Sequence, residues 1–288
     1  MRSLIAILLT LCAAPFLVPR CAAQDLRVPA SILAGTDLTI PTNGSGKATF
    51  YLSGPGVSRK IDVNLGEQIP LPGADLKTAG RYLAILCAST CESASFYVTA
   101  AKAASITFLV HPSRVPVSLG DAVSGVAFPF DQFHNLVLAP LAIDFHLTAG
   151  NSSVLSRSVT THDGVAWFRA ASGKSAGTLQ VVASAGDVSV RRAVQQVASD
   201  PCNLRITGKP DKSGVLAETE PIHDCTGNVV PDGTIVTFTA TDKNGKDTVD
   251  APVKQGVARA QMAASGPVTI SAASGVVLGN DIRVEAHP

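Results

Sequence analysis

The 288-residue chain has few of the residues that mark several other classes of protein. It contains one Trp and two Met, and no run of apolar residues at helical spacing, whereas Gly, Pro, Thr, Val and Ser are plentiful. That composition favours strands joined by turns. Its 23 basic and 22 acidic residues are not clustered, so we expect no nucleic-acid partner. After the N-terminus, no segment is apolar enough to span a membrane.

The N-terminus has the pattern of a secretory signal peptide. Arg2 precedes an apolar run from Leu4 to Val18, and Cys21-Ala-Ala23 supplies small residues for cleavage. This predicts a signal peptide at residues 1–23 and an exported, mature chain without a transmembrane segment. An apolar run of about 15 residues is short for a membrane anchor. Lipidation of Cys21 is disfavoured because Pro19-Arg20 precedes it. We expect a secreted, periplasmic or cell-surface protein.

Four cysteines remain after the expected cleavage, namely Cys87, Cys91, Cys202 and Cys225. An even number in an exported chain predicts disulfides, and three connectivities are formally possible. The economical choice pairs Cys87 with Cys91 and Cys202 with Cys225. The first pair requires a tight turn, because disulfide Cα atoms must lie within about 7 Å. A redox role for Cys87 and Cys91 is disfavoured, because their spacing is not Cys-x-x-Cys.

Two stretches of the chain repeat one pattern. Asp131-Gln-Phe-His-Asn135-Leu-Val137 is matched by Asp224-Cys-Thr-Gly-Asn228-Val-Val230, and a Phe follows fourteen residues after each Asp. Three further matches follow in the same order: Gly164-Val-Ala with Gly256-Val-Ala, Gly177-Thr-Leu-Gln-Val with Gly266-Pro-Val-Thr-Ile, and Ala183-Ser184 with Ala273-Ser274. A shared order of turn, strand, turn and strand predicts two copies of one domain.

The repeated pattern resembles bacterial immunoglobulin-like domains of the invasin and intimin type. The residues that carry the resemblance are Asp131, Asn135, Val137, Phe145, Gly164 and Ala166 in one copy, and Asp224, Gly227, Asn228, Val230, Phe238, Gly256 and Ala258 in the other. The first copy has His134 where the family prefers Gly, at a position expected to take a positive φ. Asp131, Asn135, Asp224, Gly227 and Asn228 are expected to be structural turn residues.

Strand candidates recur every 8–12 residues or so, which is typical of a sandwich. We therefore predict an all-β chain of three tandem immunoglobulin-like β-sandwiches at residues 24–100, 101–198 and 199–288. The first of them matches only generically, through Ala79-Gly80-Arg81-Tyr82, which looks like the tyrosine corner of immunoglobulin folds. The resemblance implies an exported binding, adhesion or scaffold module whose partner is a protein or carbohydrate on the cell surface or in the envelope.

No catalytic, cofactor or metal set stands out in the sequence, so we expect a protein that is not an enzyme and has no cofactor. Ser175 lies in a Gly-x-Ser-x-Gly pattern, but a strand follows instead of the helix that a nucleophile elbow needs. His134, His146 and His162 lack the spacing of metal ligands. Only one of Trp167 and Phe168 can face a core, and the exposed one is a candidate contact point.

Two other functions remain open from the sequence. An enzyme accessory protein or hydrolase would need a convergent acid, base or nucleophile set. A chaperone-like protein of the envelope would donate or accept a strand at a sheet edge, and an exposed, hydrophobic edge groove would favour it.

Overall fold

The computed structural model describes residues 26–286, which form strands, turns and one short 3-10 helix. The predicted signal peptide lies outside the described residues. The strands form seven sheets in three groups along the chain, here called the first sheet pair (residues 31–99), the middle sheet pair (residues 105–197) and the last sheet pair (residues 201–286), which has an additional two-stranded sheet. The predicted all-β architecture is confirmed. Within the described range, no helix is long and apolar enough to cross a membrane.

The chain divides into two compact units. One ends at Val98 and contains the first sheet pair, and the other begins at Thr99 and contains the middle and last sheet pairs. Within the second unit, each sheet pair has its own cluster of buried apolar residues.

The first sheet pair has seven strands, in which the five-stranded sheet β1-β7-β6-β3-β4 accompanies the two-stranded sheet β2-β5. Their bounds are β1 Ser31–Leu33, β2 Leu38–Pro41, β3 Lys47–Gly54, β4 Val57–Asn64, β5 Gln68–Leu71, β6 Gly80–Cys87 and β7 Cys91–Thr99, with the 3-10 helix at Gly73–Asp75. Alternate residues point inward, so Ile40 on β2 and Phe50 on β3 are fully buried.

Tyr82 forms a tyrosine corner in this sheet pair. Its hydroxyl donates to the carbonyl oxygen of Thr78 at 2.9 Å, four residues upstream, and its ring stacks on Phe96 with centroids 5.5 Å apart. Gly54 makes room for the ring, because a Cβ there would lie 2.3 Å from Cδ1 of Tyr82. Burial raises the pKa of Tyr82. The Gly80-Arg81-Tyr82 pattern thus indicated a corner hydrogen bond of the immunoglobulin type.

The middle and last sheet pairs share the order of their main strands. In the middle pair, the sheet β13-β10-β8 packs against β12-β11-β14-β15-β9, and in the last pair β22-β18-β17 packs against β21-β20-β23, with β24 and β25 both pairing with β23. The small sheet β16-β19 also belongs to the last pair. The bounds are β8 Ser105–His111, β9 Arg114–Pro116, β10 Val123–Phe130, β11 Ala142–Ala149, β12 Ser152–Thr160, β13 Ala166–Ala170, β14 Gly177–Ala185, β15 Val188–Val197, β16 Pro201–Asn203, β17 Ile206–Asp211, β18 Gly214–Thr219, β19 His223–Asp224, β20 Ile235–Asp242, β21 Gly245–Pro252, β22 Arg259–Met262, β23 Gly266–Ser274, β24 Val277–Leu278 and β25 Ile282–Ala286.

The two phenylalanines that follow the aspartate turns occupy equivalent core positions. Phe145 on β11 and Phe238 on β20 are fully buried. Phe145 pairs across the sheet with Ala183, and Phe238 pairs with Ala272. Ala183 therefore corresponds to Ala272, and the sequence match of Ala183-Ser184 with Ala273-Ser274 was wrong by one residue. The strand register decides this, because a shift of one residue would reverse the faces of β23.

Candidate functional site: the aspartate turns and the junction between sheet pairs

Each predicted turn is built around a buried aspartate. Asp131 is 2% exposed and Asp224 is 4% exposed. Oδ1 of Asp131 accepts hydrogen bonds from the backbone N–H groups of Phe133 and Asn135, both at 2.8 Å. Oδ1 of Asp224 accepts from the N–H groups of Thr226 and Asn228, both at 2.9 Å. An aspartate that binds backbone two residues ahead is the usual basis of such a turn.

The second oxygen of each aspartate binds the segment that leads into its own sheet pair. Oδ2 of Asp131 accepts from the N–H of Ala101 at 2.9 Å, and Oδ2 of Asp224 accepts from the N–H of Ser199 at 3.0 Å. Ala101 and Ser199 lie before the first strands of the middle and last sheet pairs. Each turn therefore fixes the direction in which the chain enters its sheet pair.

The hydrogen bonds determine the charge state of both aspartates. Burial alone would raise the pKa of Asp224, but the bonds donated by Asn228, Thr226 and Ser199 outweigh it and lower the pKa to about 2. Burial likewise opposes ionisation of Asp131, and the bonds from Asn135, Ala101 and Phe133 lower its pKa. Both side chains are anions at neutral pH, which strengthens the bonds that they accept.

Asn228 extends the second turn across the junction between the middle and last sheet pairs. Its Nδ2 donates to the carbonyl oxygen of Lys174 at 2.9 Å, and its Oδ1 accepts from the N–H of Ala176 at 2.8 Å. The Oγ of Ser199 adds a bond to the carbonyl oxygen of Val117 at 2.6 Å. The turn of the last sheet pair is thus bonded to one loop of the middle sheet pair, and the segment that enters the last sheet pair is bonded to another.

The loop that receives Asn228 is itself held in place by Gln196, which is 1% exposed. Oε1 of Gln196 accepts from the N–H of Gly173 at 2.5 Å, and Nε2 donates to the carbonyl oxygen of Ser175 at 3.0 Å. The hydroxyl of Ser172 donates to the carbonyl oxygen of Pro116 at 2.7 Å. Ser175 lies in this loop before strand β14. No local pattern in the sequence indicates these roles of Gln196 and Ser172.

The two disulfides have the pairing that the spacing favours. Cys87 and Cys91 join the ends of β6 and β7 across a tight hairpin, with Cα atoms 4.0 Å apart. Cys202 and Cys225 have Cα atoms 4.8 Å apart and tie β16 to the residue that follows Asp224. The last sheet pair therefore has a covalent bond at its aspartate turn.

The three histidines considered as metal ligands, His134, His146 and His162, have separate surroundings in the middle sheet pair. His134 takes a φ of +65° at the tip of the first turn. Nδ1 of His146 lies 3.1 Å from Oγ of Ser156, and Nδ1 of His162 lies 3.0 Å from an exposed carboxylate oxygen of Asp163. From residue 26 to residue 286, no group of three or more His, Cys, Asp or Glu side chains is placed to hold a metal ion.

Phe168 faces the core and Trp167 faces outward. Phe168 is fully buried, whereas Trp167 is 60% exposed. Trp167 lies opposite Val126 on β10, and Val126 lies opposite Leu109 on β8, which is 61% exposed. These side chains form a short apolar row across the outer face of the sheet.

No protein-family model matches the chain, and no curated protein matches it. Among solved structures, the chain is similar to FdeC, a broadly conserved Escherichia coli adhesin, with 15% identity, 90% of this chain and 95% of that chain covered, and a TM-score of 0.62. It is also similar to the bacterial integrin-binding protein invasin, at 15% identity, with 91% of this chain and 58% of that chain covered and a TM-score of 0.48. InvD of Yersinia pseudotuberculosis has 11% identity, 88% and 94% coverage and a TM-score of 0.49. The likeness to FdeC shows that the chain has the fold of a bacterial immunoglobulin-like domain protein, as the repeated motif predicted.

Proposed function

We propose that the chain is an exported, non-catalytic immunoglobulin-like repeat protein that acts as a binding, adhesion or scaffold module at the cell surface or in the periplasm. In this proposal, residues 1–23 are a signal peptide, and the three sheet pairs are domains at residues 24–100, 101–198 and 199–288. The separate buried clusters of the middle and last sheet pairs support the division at residue 199.

The bonded junction between the middle and last sheet pairs is the observation that carries the proposal. A scaffold must hold its domains in a fixed relation, and the side chains of Asn228 and Ser199 bind backbone across this junction. The buried polar side chains of the site, Asp224 and Gln196, are also bonded to backbone. Their hydrogen-bonding capacity is used to position loops, which supports a structural role for them.

The ligand in this proposal is a protein or a carbohydrate on the cell surface or in the envelope, and it binds the exposed loops or sheet faces. The fold that the chain shares with an Escherichia coli adhesin supports an adhesive role. Trp167 is the exposed aromatic side chain that we would test first as a contact, because aromatic residues contribute much of the energy at many interfaces.

Export is tested by N-terminal sequencing of the protein secreted from a bacterial host. We expect the sequence to begin at Gln24. A product that still begins at Met1, or one that carries lipid on Cys21, would contradict the export mechanism.

Adhesion is tested with beads that carry the mature chain, residues 24–288, on epithelial cells and on a glycan array. We expect binding above that of beads coated with an unrelated sandwich protein, and a loss of binding for Trp167→Ala. Leu138→Ala is the matched control, because Leu138 is 63% exposed but lies outside the apolar row. Binding no better than that of the unrelated protein would contradict the adhesive role, and a scaffold role would remain as the proposed function.

A further inference from the structure

In the middle sheet pair, one segment covers a sheet edge, and the described residues of the last sheet pair include no such segment. Between β8 and β10 the chain has residues 112–122, whereas only residues 212–213 separate β17 from β18. In the middle pair, these extra residues include β9, which pairs in parallel with β15 through Arg114 opposite Gln195 and Val115 opposite Gln196. We call residues 112–121 the cover segment.

The first sheet pair has its own version of the cover segment. Strand β1 pairs with β7, the last strand of that sheet pair, and the carbonyl oxygen of Ala30 accepts from the N–H of Tyr97 at 3.0 Å. The preceding residues, Arg27-Val-Pro29, repeat the Arg114-Val-Pro116 of β9. Two of the three sheet pairs therefore pair their final strand with a segment of this type.

The corresponding edge of the last sheet pair is open. Gly177 pairs with Gln196 in the middle pair and Gly266 pairs with Ala286 in the last pair. Glu285 and Ala286 at the end of β25 therefore correspond to Gln195 and Gln196, which β9 covers in the middle pair. Among residues 26–286, β25 pairs only with β23, and its other edge has no strand partner. Val194 on β15 is 1% exposed, whereas its counterpart Val284 is only partly buried.

A pocket of about 420 Å³ lies between the β17–β18 turn, the β20–β21 hairpin and the loop before β23, and its lining includes Ala264 and Ser265. Counted from the matched residues Ala166 and Ala258, these two correspond to Ser172 and Gly173. In the middle sheet pair, Ser172 and Gly173 bind the cover segment, because the hydroxyl of Ser172 donates to the carbonyl oxygen of Pro116 and the N–H of Ser118 donates to the carbonyl oxygen of Gly173.

We propose that the open edge of β25 and this pocket accept an extended peptide segment of another polypeptide, which pairs in parallel with β25 as β9 pairs with β15. Backbone hydrogen bonds to an exposed edge supply affinity, and side chains at alternate positions supply specificity. The proposal does not depend on the adhesive role. It gives the strand-accepting alternative a definite location in the last sheet pair.

Charge and shape at the edge define the chemistry of the segment. Glu285 stands where β15 has Gln195, and Gln195 lies opposite Arg114. An incoming segment in the same register therefore places a basic residue opposite the exposed Glu285, followed by a small branched apolar residue opposite Ala286. A sequence of the type Arg-Val-Pro-Val fits both positions. The exposed charges of Arg283 and Glu285 also disfavour indiscriminate pairing at this edge.

The probe is a labelled peptide with the sequence of the cover segment, Pro112 to Asp121, added to the mature chain. We expect saturable binding by fluorescence anisotropy and slower amide exchange at residues 282–286, with exchange at residues 188–197 unchanged. Glu285→Arg in the protein, or Arg114→Glu in the peptide, should each weaken binding by about fivefold, and the two changes together should restore it.

Three results with the peptide would overturn the proposal. They are absence of binding at millimolar peptide, protection at residues 188–197 instead of 282–286, and failure of the paired charge reversal to restore affinity. Concentration-dependent dimerisation that protects residues 282–286 without peptide would identify a second copy of the chain as the occupant and also overturn it. The peptide variant Arg114→Glu leaves the protein unchanged, so the charge test remains decisive even if Glu285→Arg does not fold.

Discussion

The two aspartate turns are alike in what binds the aspartate and different in the residues around it. In both, one carboxylate oxygen binds two N–H groups within the turn, and the other binds the segment that enters the sheet pair. The residues between aspartate and asparagine differ: Gln132 and His134 in one turn correspond to Cys225 and Gly227 in the other. Two turns can therefore share one backbone path with different side chains.

The shared contacts indicate what the fold requires, and the disulfide is a feature of one turn only. The aspartate contacts recur because each sheet pair needs its entering segment fixed. The disulfide Cys202–Cys225 is specific to the last turn, because the other turn has Gln132 at the corresponding position. Asn228 bonds the last turn to residues 174 and 176 of the middle sheet pair. Replacing the residues of the turns in separate variants tests which contacts stabilise a single sheet pair and which contacts join two sheet pairs.

The largest effect is expected from the disulfide of the last turn. Replacing Cys202 and Cys225 together by Ala should destabilise the last sheet pair by about 3 kcal/mol, because the bond closes a loop across a sequence separation of 23. The middle sheet pair, whose turn has Gln132 in place of Cys225, should be unaffected. Hydrogen exchange measured peptide by peptide in urea distinguishes the two sheet pairs.

The matched control replaces Cys87 and Cys91 by Ala. That bond spans a separation of only 4 residues, so its loss should lower the free energy of unfolding by less in the same entropic model. If both double replacements lower the unfolding free energy equally, loop length does not determine how much a disulfide stabilises this chain. A lower stability of the middle sheet pair after loss of Cys202–Cys225 would show that the junction couples the two sheet pairs.

A smaller and pH-dependent effect is expected from the aspartates. Asp224→Asn should destabilise the last sheet pair by about 2 kcal/mol at pH 7, because an amide cannot accept all the bonds of the carboxylate. The pKa of Asp224 is lowered to about 2 in the folded chain from 3.8. Its stabilisation is therefore complete above pH 3.8 and is lost as the pH falls towards 2.

Urea unfolding at pH 7, 4 and 2 tests this expectation. The difference in unfolding free energy between the wild-type chain and Asp224→Asn should become smaller as the pH falls from 3.8 towards 2. Asp131→Asn should behave similarly in the middle sheet pair, because hydrogen bonds also lower the pKa of Asp131. A difference that stays constant between pH 7 and pH 2 would mean that the charge of the aspartate contributes nothing.

Local patterns in the sequence were sufficient for the parts of the fold that depend on neighbouring residues. Apolar and polar residues alternate from Leu141 to Leu147, which predicts that Phe145 faces the core, and Phe145 is fully buried. The repeated turn predicted the immunoglobulin-like fold. The alignment of the repeat failed at Ala273, because Ala272 and Ala273 are the same residue type and only the pairing of Ala272 with Phe238 determines the register.

Contacts between distant residues were not predictable in this way. Gln196 and Ser172 are polar residues whose neighbours in sequence do not distinguish them from surface residues, and they bind backbone 21 and 56 positions away. The partners of Asn228 are 52 and 54 positions away. A second repeat, Arg27-Val-Pro29 and Arg114-Val-Pro116, was visible in the sequence and would have indicated that the last sheet pair lacks a cover segment.

The smallest effect is expected from the position at which one turn has histidine and the other has glycine, both at positive φ. His134 has a φ of +65° and Gly227 has a φ of +85°. A side chain at positive φ costs roughly 1 kcal/mol or more, whereas glycine adopts it without steric cost. Gly227→Ala should therefore destabilise the last sheet pair by about 1 kcal/mol. Among the described residues, no atom lies within 4 Å of a Cβ built at Gly227, so this loss reports backbone conformation alone.

The reciprocal change, His134→Gly, should stabilise the middle sheet pair by less than about 1 kcal/mol, because the added freedom of glycine in the unfolded chain offsets part of the gain. The unfolding free energy of Gly227→Asn should lie between those of the wild-type chain and Gly227→Ala, since asparagine tolerates positive φ better than most residues. Unfolding free energies in the order Gly, Asn, Ala at position 227 would show that both turns require the same backbone conformation. If Gly227→Ala leaves the unfolding free energy unchanged, the backbone of this turn relaxes to accommodate a side chain. His134 would then occupy the corresponding position without strain.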